Sequence, residues 1–454
     1  MRKRYLIEIA QNDQMIVFCP PSLLQNKRIK RLAFGSKSIA ADFLPHPDQD
    51  DRIVISRVIQ KALLFPHFKL PLHVFHEGEN LYIGPLVGIF TAGFTLDADQ
   101  PIGERTHFFS KLLSVNKTVG ALPFVFGEQH IDWEQGTIEG YFYYQHGWQK
   151  HEIPFPNVIY DRLPNRRSEG IPKLIKVKER LQKEYLIPWY NPGFFNKLDV
   201  YERLQQEGSV EHYLPETHPF TSFSLIETML SKYGHIFMKP KNGSLGLGVH
   251  QIIYDKYEGD YYCRYQDKSG VNRLRKFTTL EKLIHTVFGH QSLERMIIQQ
   301  GIHLLRESTR PVDFRVHTNK DEFGNWRVTA LAAKIAGNGS VTTHKRNGGD
   351  IKTIHEIFPK ETADLYTDKL SEAALLLSEV LDKNIEGIIG EIGFDLGIDR
   401  NGAVWLFEAN SKPGRSIFTH PELKKFDFLT RQLSLAFAVF LTEQSLLHPE
   451  ELYL

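Results

Sequence analysis

The feature that most constrains this chain is MKPKNGSLGLGVHQI, a glycine-rich turn between two strand-like runs. Gly243, Gly246 and Gly248 follow Ile236-Phe237-Met238-Lys239-Pro240 and precede GVHQIIYD. Backbone without Cβ atoms can pack closely on a phosphate chain and turn its N–H groups toward it. Lys239, at the end of the first strand, carries an ammonium able to reach the α or β phosphates of a nucleotide. Two familiar phosphate loops fit poorly. A Walker A loop needs GxxxxGK[ST], but Gly243 is followed by Ser244 and no GK[ST] stands at the right offset. A Rossmann turn leads into a helix, whereas GVHQIIYD reads as strand. A strand–loop–strand hairpin lying over phosphates remains, with an ordinary flexible hairpin as its plain alternative.

The second constraint is EIGFDLGIDRNGAVWLFEANSKPG. Gly393 to Ile398 and Ala403 to Glu408 read as a hairpin about Asp399-Arg400-Asn401-Gly402, a good turn sequence. Asp395 lies in the first strand and Glu408 near the end of the second, so antiparallel pairing can bring them together. Asn410 points the same way as Glu408 if the strand continues. Oxygens of Asp, Glu and Asn suit Mg²⁺, a hard cation that keeps waters and binds substrate phosphates. Such an ion draws negative charge off a phosphoryl group in transfer. The alternative is solvated polar residues beside strands, and the apolar run Val404-Trp405-Leu406-Phe407 before Glu408 argues against it. Glu391 is a weaker candidate, with a structural role as its alternative.

Basic residues lie between these two signals. Arg315 follows Asp313 at strand spacing, both on one face. Lys334 interrupts the apolar run Ala330 to Ile335. An unpaired buried lysine is costly, so it should meet a carboxylate or a phosphate. Arg346, Asn347, Gly348 and Gly349 form a polar loop able to hold anions, or else a plain surface turn. Together these groups could offset the charge of a triphosphate and of a forming acyl phosphate.

The rest of the sequence bounds the setting. A chain of 454 residues has room for about two to four domains. Hydrophobic residues at 41% and charged residues at 24% allow real cores. A formal net charge of +1 argues against broad binding to nucleic acid or acidic membranes. Cys19 and Cys263 are too few and too far apart for a disulfide framework or a cysteine zinc site, and they suit a reducing compartment. No signal peptide is read in MRKRYLIEIAQNDQ, and Leu433 to Leu441 is too short to span a bilayer. The 31 Phe and 18 Tyr imply large cores or contacts with other proteins. Short strand-like runs predict a small mostly-β domain over 1–80. LYIGPLVGIFTAGF, a helix, Val119 to Phe126 and Val158 to Asp161 predict a parallel α/β domain over 81–188. A third region, 189–450, carries the motifs above, with helices expected at Ser222 to Tyr233, Thr279 to Phe288, Thr362 to Leu381 and Phe426 to Thr442.

The order of these motifs resembles the ATP-grasp superfamily, in the group with glutathione synthetase and the ribosomal-protein glutamate ligases. The nearest resemblance is to the YheC/YheD family of endospore coat-associated proteins. It is carried by FGSKS, LYIGPLVGIFT, FNKLDVYERL, MKPKNGSLGLGV, RPVDFRV, LAAKIAGNGSVTT, RNGGD and the hairpin sequence above, and it covers most of the chain. It implies a two-lobed ATP-grasp fold, α+β, over 189–450 behind the α/β and mostly-β domains, with ATP between the lobes. Lys197 and Lys239 would then lie near the phosphates and adenine, and Gly243, Ser244, Gly246 and Gly248 over the triphosphate. The adenine hinge would be Ile298, Gln299, Gln300, Gly301 and Ile302. Arg315 and Lys334 would meet phosphate and the developing acyl phosphate, with Asn347 in the substrate or phosphate loop. Asp395, Glu408 and Asn410 would hold Mg²⁺.

Two departures stand out. Many ATP-grasp ligases have arginine where this chain has Lys334, which keeps the charge but loses the bidentate fork. No unambiguous acid for a ribose stands beside the hinge. The resemblance implies an ATP-dependent carboxylate–amine or carboxylate–thiol ligase working through an acyl phosphate and linked to spore formation or the coat. Its rivals are a coat-associated structural protein with a degenerate or nucleotide-binding-only fold, and a small-molecule phosphotransferase. Expected partners are an unidentified carboxylate and amine, with spore-coat proteins, and neither nucleic acid nor a transmembrane segment. The cytoplasm, the forespore or the spore coat is the expected place.

Overall fold

The structure, a computed structural model, describes residues 3–25, 28–48, 50–145, 147–241, 247–267, 269–289, 292–343 and 348–452. Gly243, Ser244, Gly246, Arg346 and Asn347 lie outside these residues. Four sheets follow one another along the chain.

The first sheet has eight strands between Arg4 and Gly84, with short helices Pro21–Leu24 and Arg57–Ala62 beside it. Its last strand, Asn80–Gly84, is followed at once by Leu86–Phe90, which belongs to the second sheet. Pro85 separates them and has no N–H to give to either ladder.

Leu86–Phe90, Leu122–Phe126, Val158–Asp161 and Trp189–Tyr190 run parallel in the second sheet. An antiparallel ribbon, Thr137–Tyr144 with Gly147–Pro154, extends its edge. Parallel strands buried on both faces need apolar residues throughout, and Leu86–Phe90 is buried at every position. Alternate residues face two cores. Leu86 and Phe90, with Phe124 and Phe126, pack against the apolar face of the first sheet. Val87, Ile89 and Val125 pack against helices Thr106–Leu113 and Lys424–Leu447. Much of the aromatic content is spent here: Phe34, Phe90, Phe109, Phe124, Phe126 and Phe142 are among the largest fully buried side chains.

The third sheet is antiparallel and runs from Thr217 to Gln300. Helices Phe223–Tyr233 and Leu280–Phe288 cover one face, with Ile226, Met229, Ile236, Met238, Ile252 and Leu283 between. Ser222 caps the first helix by accepting from Leu225 N, and Gly234 ends it at φ +73°. The fourth sheet, also antiparallel, is built from Arg310–Lys320, Trp326–Ile335, Glu391–Ile398 and Val404–Asn410 with short edge strands. The long helix Lys360–Asn384 packs Leu370, Ala374 and Leu377 against Phe314, Val316 and Phe394.

The second and fourth sheets are pinned together. Tyr190 bridges Ile388 in parallel. Asn191 makes all four hydrogen bonds its amide can offer. It donates to the carbonyls of Glu391 and Ser411 and accepts from the N–H groups of Gly390 and Glu391. Lys412 is almost fully buried, with Nζ 2.7 Å from both Asp161 Oδ1 and Glu169 Oε1. Glu391 meets Arg162 at 2.5 Å and accepts from Tyr160 OH at 2.6 Å, which gives it a structural role. Among the described residues no helix is long and apolar enough to cross a membrane. Cys19 and Cys263 are free and buried in separate cores.

Candidate active site

The third and fourth sheets face each other across a cleft of about 370 Å³. Strand alternation decides what each presents. On the third sheet Ile236, Met238 and Ile252 go to the core. Phe237, Lys239 and Gln251 therefore line the cleft, beside Gln299. On the fourth sheet Phe314, Ala333, Ile335, Phe394 and Leu396 go to the core. That leaves Asp313, Arg315, Lys334 and Asp395 on the opposite face.

Register joins these residues. Asp313 pairs with Lys334, Arg315 with Asp395, and Asp395 with Glu408. Arg315 holds Asp395 bidentately, Nε to Oδ1 and Nη2 to Oδ2, both at 2.9 Å. Lys334 Nζ lies 2.8 Å from Asp395 Oδ1 and 3.1 Å from Asp313 Oδ1. Thr343 Oγ1 donates to Asp313 Oδ2 at 2.6 Å. Burial pushes the Asp395 carboxyl up, but Arg315 and Lys334 outweigh it and hold the group below the usual range. Burial raises the Asp313 carboxyl, with Lys334 opposing. Burial works against the Lys334 charge, and Asp313 and Asp395 more than restore it.

Glu408 meets a cation as well, Lys197 Nζ at 3.3 Å. Lys197 opens the helix Lys197–Gln205, which Asn196 caps by accepting from Leu198 N and Asp199 N. Across the cleft Lys239 Nζ donates to Gln299 Oε1 at 2.9 Å, and Gln299 Nε2 to Thr217 Oγ1 at 2.9 Å. Burial, with Lys197 beside it, draws the Lys239 ammonium down to about 8 against the pull of Glu408 and Asp395. Asn410 closes its strand half-buried, opposite Gly393.

The strand Met296–Gln300 runs into Gly301 and Ile302, which lead from one lobe to the other. Gly301 N donates to His235 O at 3.1 Å. A Cβ on Gly301 would overlap the His235 ring and carbonyl, so the crossing needs glycine. Gln300 Oε1 accepts from Glu216 N at 3.0 Å, and Gln300 and Ile302 line the cleft at this end.

The structure thus brings Lys197, Lys239, Gln299, Gln300, Ile302, Lys334, Asp395 and Glu408 to one cleft. Arg315 stands behind Asp395, and Asn410 is on the same strand as Glu408. Gly248 is described, at φ +71° just before the strand His250–Asp255. Phe407 is a cleft residue the sequence reading did not reach. The register slips between Asp395 and Leu396, leaving Phe407 as an extra residue that turns toward the cleft beside Glu408. Its ring lies over Gly397, where a Cβ would stand 2.6 Å from it. A glycine inside an apolar strand was the available signal. Two triads able to gather a metal, His46-Asp48-Asp50 and His448-Glu450-Glu451, contain no cleft residue.

Two α+β lobes with facing sheets, joined by a short crossing and lined by lysines on both walls, have the arrangement of the ATP-grasp class. The chain belongs to the YheC/D like ATP-grasp family, which matches residues 186–441. It is 41% identical over 453 residues, 99% of each chain, to the endospore coat-associated protein YheD of Bacillus subtilis (strain 168). It is 25% identical over 283 residues to YheC of the same organism, covering 61% of this chain and 77% of that one. Among solved structures, VanG D-Ala:D-Ser ligase from Enterococcus faecalis is 12% identical over 79% of this chain and 99% of its own, with a TM-score of 0.44.

Proposed function

We propose that this chain is an ATP-dependent ligase that activates a carboxylate as an acyl phosphate and joins it to an amine or thiol, in connection with the spore coat. One observation carries the reading. Lys197, Lys239 and Lys334 converge with Asp395 and Glu408 on facing walls of a single cleft. Three ammonium groups suit a polyphosphate, and two carboxylates beside them suit a divalent cation.

The donors fit Mg²⁺ by their chemistry. Asp395, Glu408 and Asn410 offer oxygens only, from paired strands. A carboxylate has about four lone-pair sites. Asp395 gives three contacts to Arg315 and Lys334, and Glu408 one to Lys197, so both keep capacity. Bound there, Mg²⁺ would draw negative charge from the transferring phosphoryl group.

Lys239 and Lys197 hold the phosphates from opposite walls. The base lies at the crossing, against the backbone of Gln300 to Ile302. Lys334, kept charged by its two carboxylates, lies beside the phosphoryl group in flight, with Arg315 fixing Asp395 behind it. A substrate carboxylate oxygen attacks the terminal phosphorus and ADP leaves. The amine or thiol then attacks the acyl carbon, phosphate departs with the C–O electron pair, and the nucleophile's proton is released. By the resemblance, Gly243, Ser244 and Gly246, with Gly248, would cover the triphosphate, and Asn347 would meet phosphate or substrate. The name of the 41% identical relative supports the link to the coat.

A second reading is a coat protein that binds nucleotide without turnover. Asp395 favours it in one respect: its closed ion network with Arg315 and Lys334 would also serve a purely structural cleft. Calorimetry with ATP, with and without Mg²⁺, tests the primary reading. Mg²⁺-dependent binding lost in Glu408→Ala and Lys239→Ala supports it, and ADP release on adding candidate carboxylates separates catalysis from binding. No ATP binding by folded wild-type protein removes it.

A further inference from the structure

We infer that the outer end of the cleft is a second anion subsite, which takes a phosphate group beside the sugar of the bound nucleotide. Three arginines reach it from separate elements. Arg264 lies on the strand Asp260–Gln266, Arg306 just past the crossing, and Arg400 in the turn after Glu391–Ile398. His235 and His303 line the same end, their ring centroids 4.6 Å apart. The acids that line the cleft among the described residues are Asp313, Asp395 and Glu408, all with lysine partners at the inner end. Arg400 stands beyond Asp395 by at most roughly 16 Å of extended chain, at ~3.3 Å per residue.

Among the described residues none of these arginines has a carboxylate partner like those found elsewhere in the cleft. Arg264 is half-buried and forms no ion pair among the described residues. Burial, with Arg306 nearby, draws its guanidinium below the ordinary range. Arg306 donates to the Thr309 carbonyl at 2.5 Å. Nearby acids are committed to other groups. Glu307 pairs with Arg310 and Lys352, Glu216 with Lys232, and Asp399 accepts from its own turn and from Trp405. Arg306 and Arg400 are exposed and Arg264 is half-buried, and like charges gathered at such a mouth favour an anion between them. Guanidinium forks match phosphate oxygens in pairs. Among the described residues no carboxylate lines the cleft at the crossing for a free sugar hydroxyl; His303 and Arg306 line it there instead.

The inference rests on the orientation proposed above, phosphates inward and base at the crossing. Two sources carry the required chemistry: a nucleotide phosphorylated on its 2′ or 3′ oxygen, and a separate phosphorylated molecule lying against the nucleotide. Calorimetry distinguishes them. AMP, ADP, adenosine 2′,5′-bisphosphate and adenosine 3′,5′-bisphosphate are titrated into the full chain and into an Arg264→Gln/Arg306→Gln double variant whose melting is checked first. In parallel, tripolyphosphate is titrated into both proteins saturated with ADP.

For the first source, one bisphosphate binds the wild type at least about tenfold more tightly than AMP, which has the same 5′ phosphate, and the double variant abolishes that preference. For the second, neither bisphosphate is preferred, but tripolyphosphate binds the ADP complex and weakens at least about tenfold in the variant. Absence of both effects overturns the inference. If ADP itself fails to bind, the nucleotide reading falls. Tripolyphosphate alone then decides: equal affinity for wild type and variant rejects the subsite, and loss in the variant upholds it.

Discussion

Lys239 is the residue whose charge should govern nucleotide binding as pH rises. In the free protein its ammonium sits at about 8, lowered by burial and by Lys197. A polyphosphate beside it favours the charged form and returns it toward its ordinary 10.5. The bound state then holds a proton that the free state has lost, so affinity falls as pH climbs through 8 and levels off near the bound value. One-proton linkage between those two values makes ATP bind ~30-fold more weakly at about pH 9.5 than at pH 7, a change of about 2 kcal/mol. Calorimetry across that window measures it, with circular dichroism showing that the fold persists. Lys239→Arg supplies the control, since a guanidinium stays charged throughout. Its affinity should be nearly flat with pH, whatever its absolute value. A flat wild-type profile, or an equal slope in Lys239→Arg, would refute the assignment of Lys239 to the phosphates.

Asp395→Asn leaves Arg315 and Lys334 buried with only Asp313 to answer them, and should cost about 3–5 kcal/mol in urea denaturation; a loss under about 1 kcal/mol contradicts the network. Glu408→Gln removes a half-buried charge at little cost to the fold. It should erase the Mg²⁺-dependent part of ATP affinity while leaving metal-free binding within about threefold, read by the same calorimetry. Lys412→Met strips Asp161 and Glu169 of their shared cation and should destabilise the chain by about 3–5 kcal/mol, with earlier proteolysis near 161–169; an unchanged digest speaks against that anchor.

The cleft was partly legible in the sequence because its residues obey strand alternation. Asp313 and Arg315 stand two apart, Lys334 breaks an apolar run, and Asp399-Arg400-Asn401-Gly402 sets the hairpin that pairs Asp395 with Glu408. What alternation cannot supply is the partner. That Arg315 and Lys334 share one carboxylate depends on how three strands register in space. Phe407 escaped because a register slip overrides alternation at that residue. The run LYIGPLVGIF reads as one buried strand and is two, in different sheets, since periodicity does not reveal where a ladder changes neighbours. The ribbon Thr137–Pro154 was missed because its second strand, GWQKHEIP, is polar and mostly half-buried, so it lacks an apolar rhythm. Arg264 and Arg306 belong to no motif, Arg400 stands in the hairpin turn without marking itself as a ligand, and the three come to one cleft only through the fold.

The pinning of the second sheet to the fourth has a consequence for where this protein can be divided. The family match begins at 186, as if a self-sufficient module started there. Yet Leu435, Phe437 and Val439 of the last long helix are covered by Val87, Val125 and Tyr160, all upstream of that point. A fragment cut at 186 would carry an uncovered greasy helix, and its Lys412 would keep neither Asp161 nor Glu169. The lobe from Thr217 to Gln300 draws its core from one unbroken stretch of chain, with no residue from outside it among those described. The seam along which this chain can bend, and at which evolution could exchange one piece for another, therefore runs around that lobe and not through residue 186.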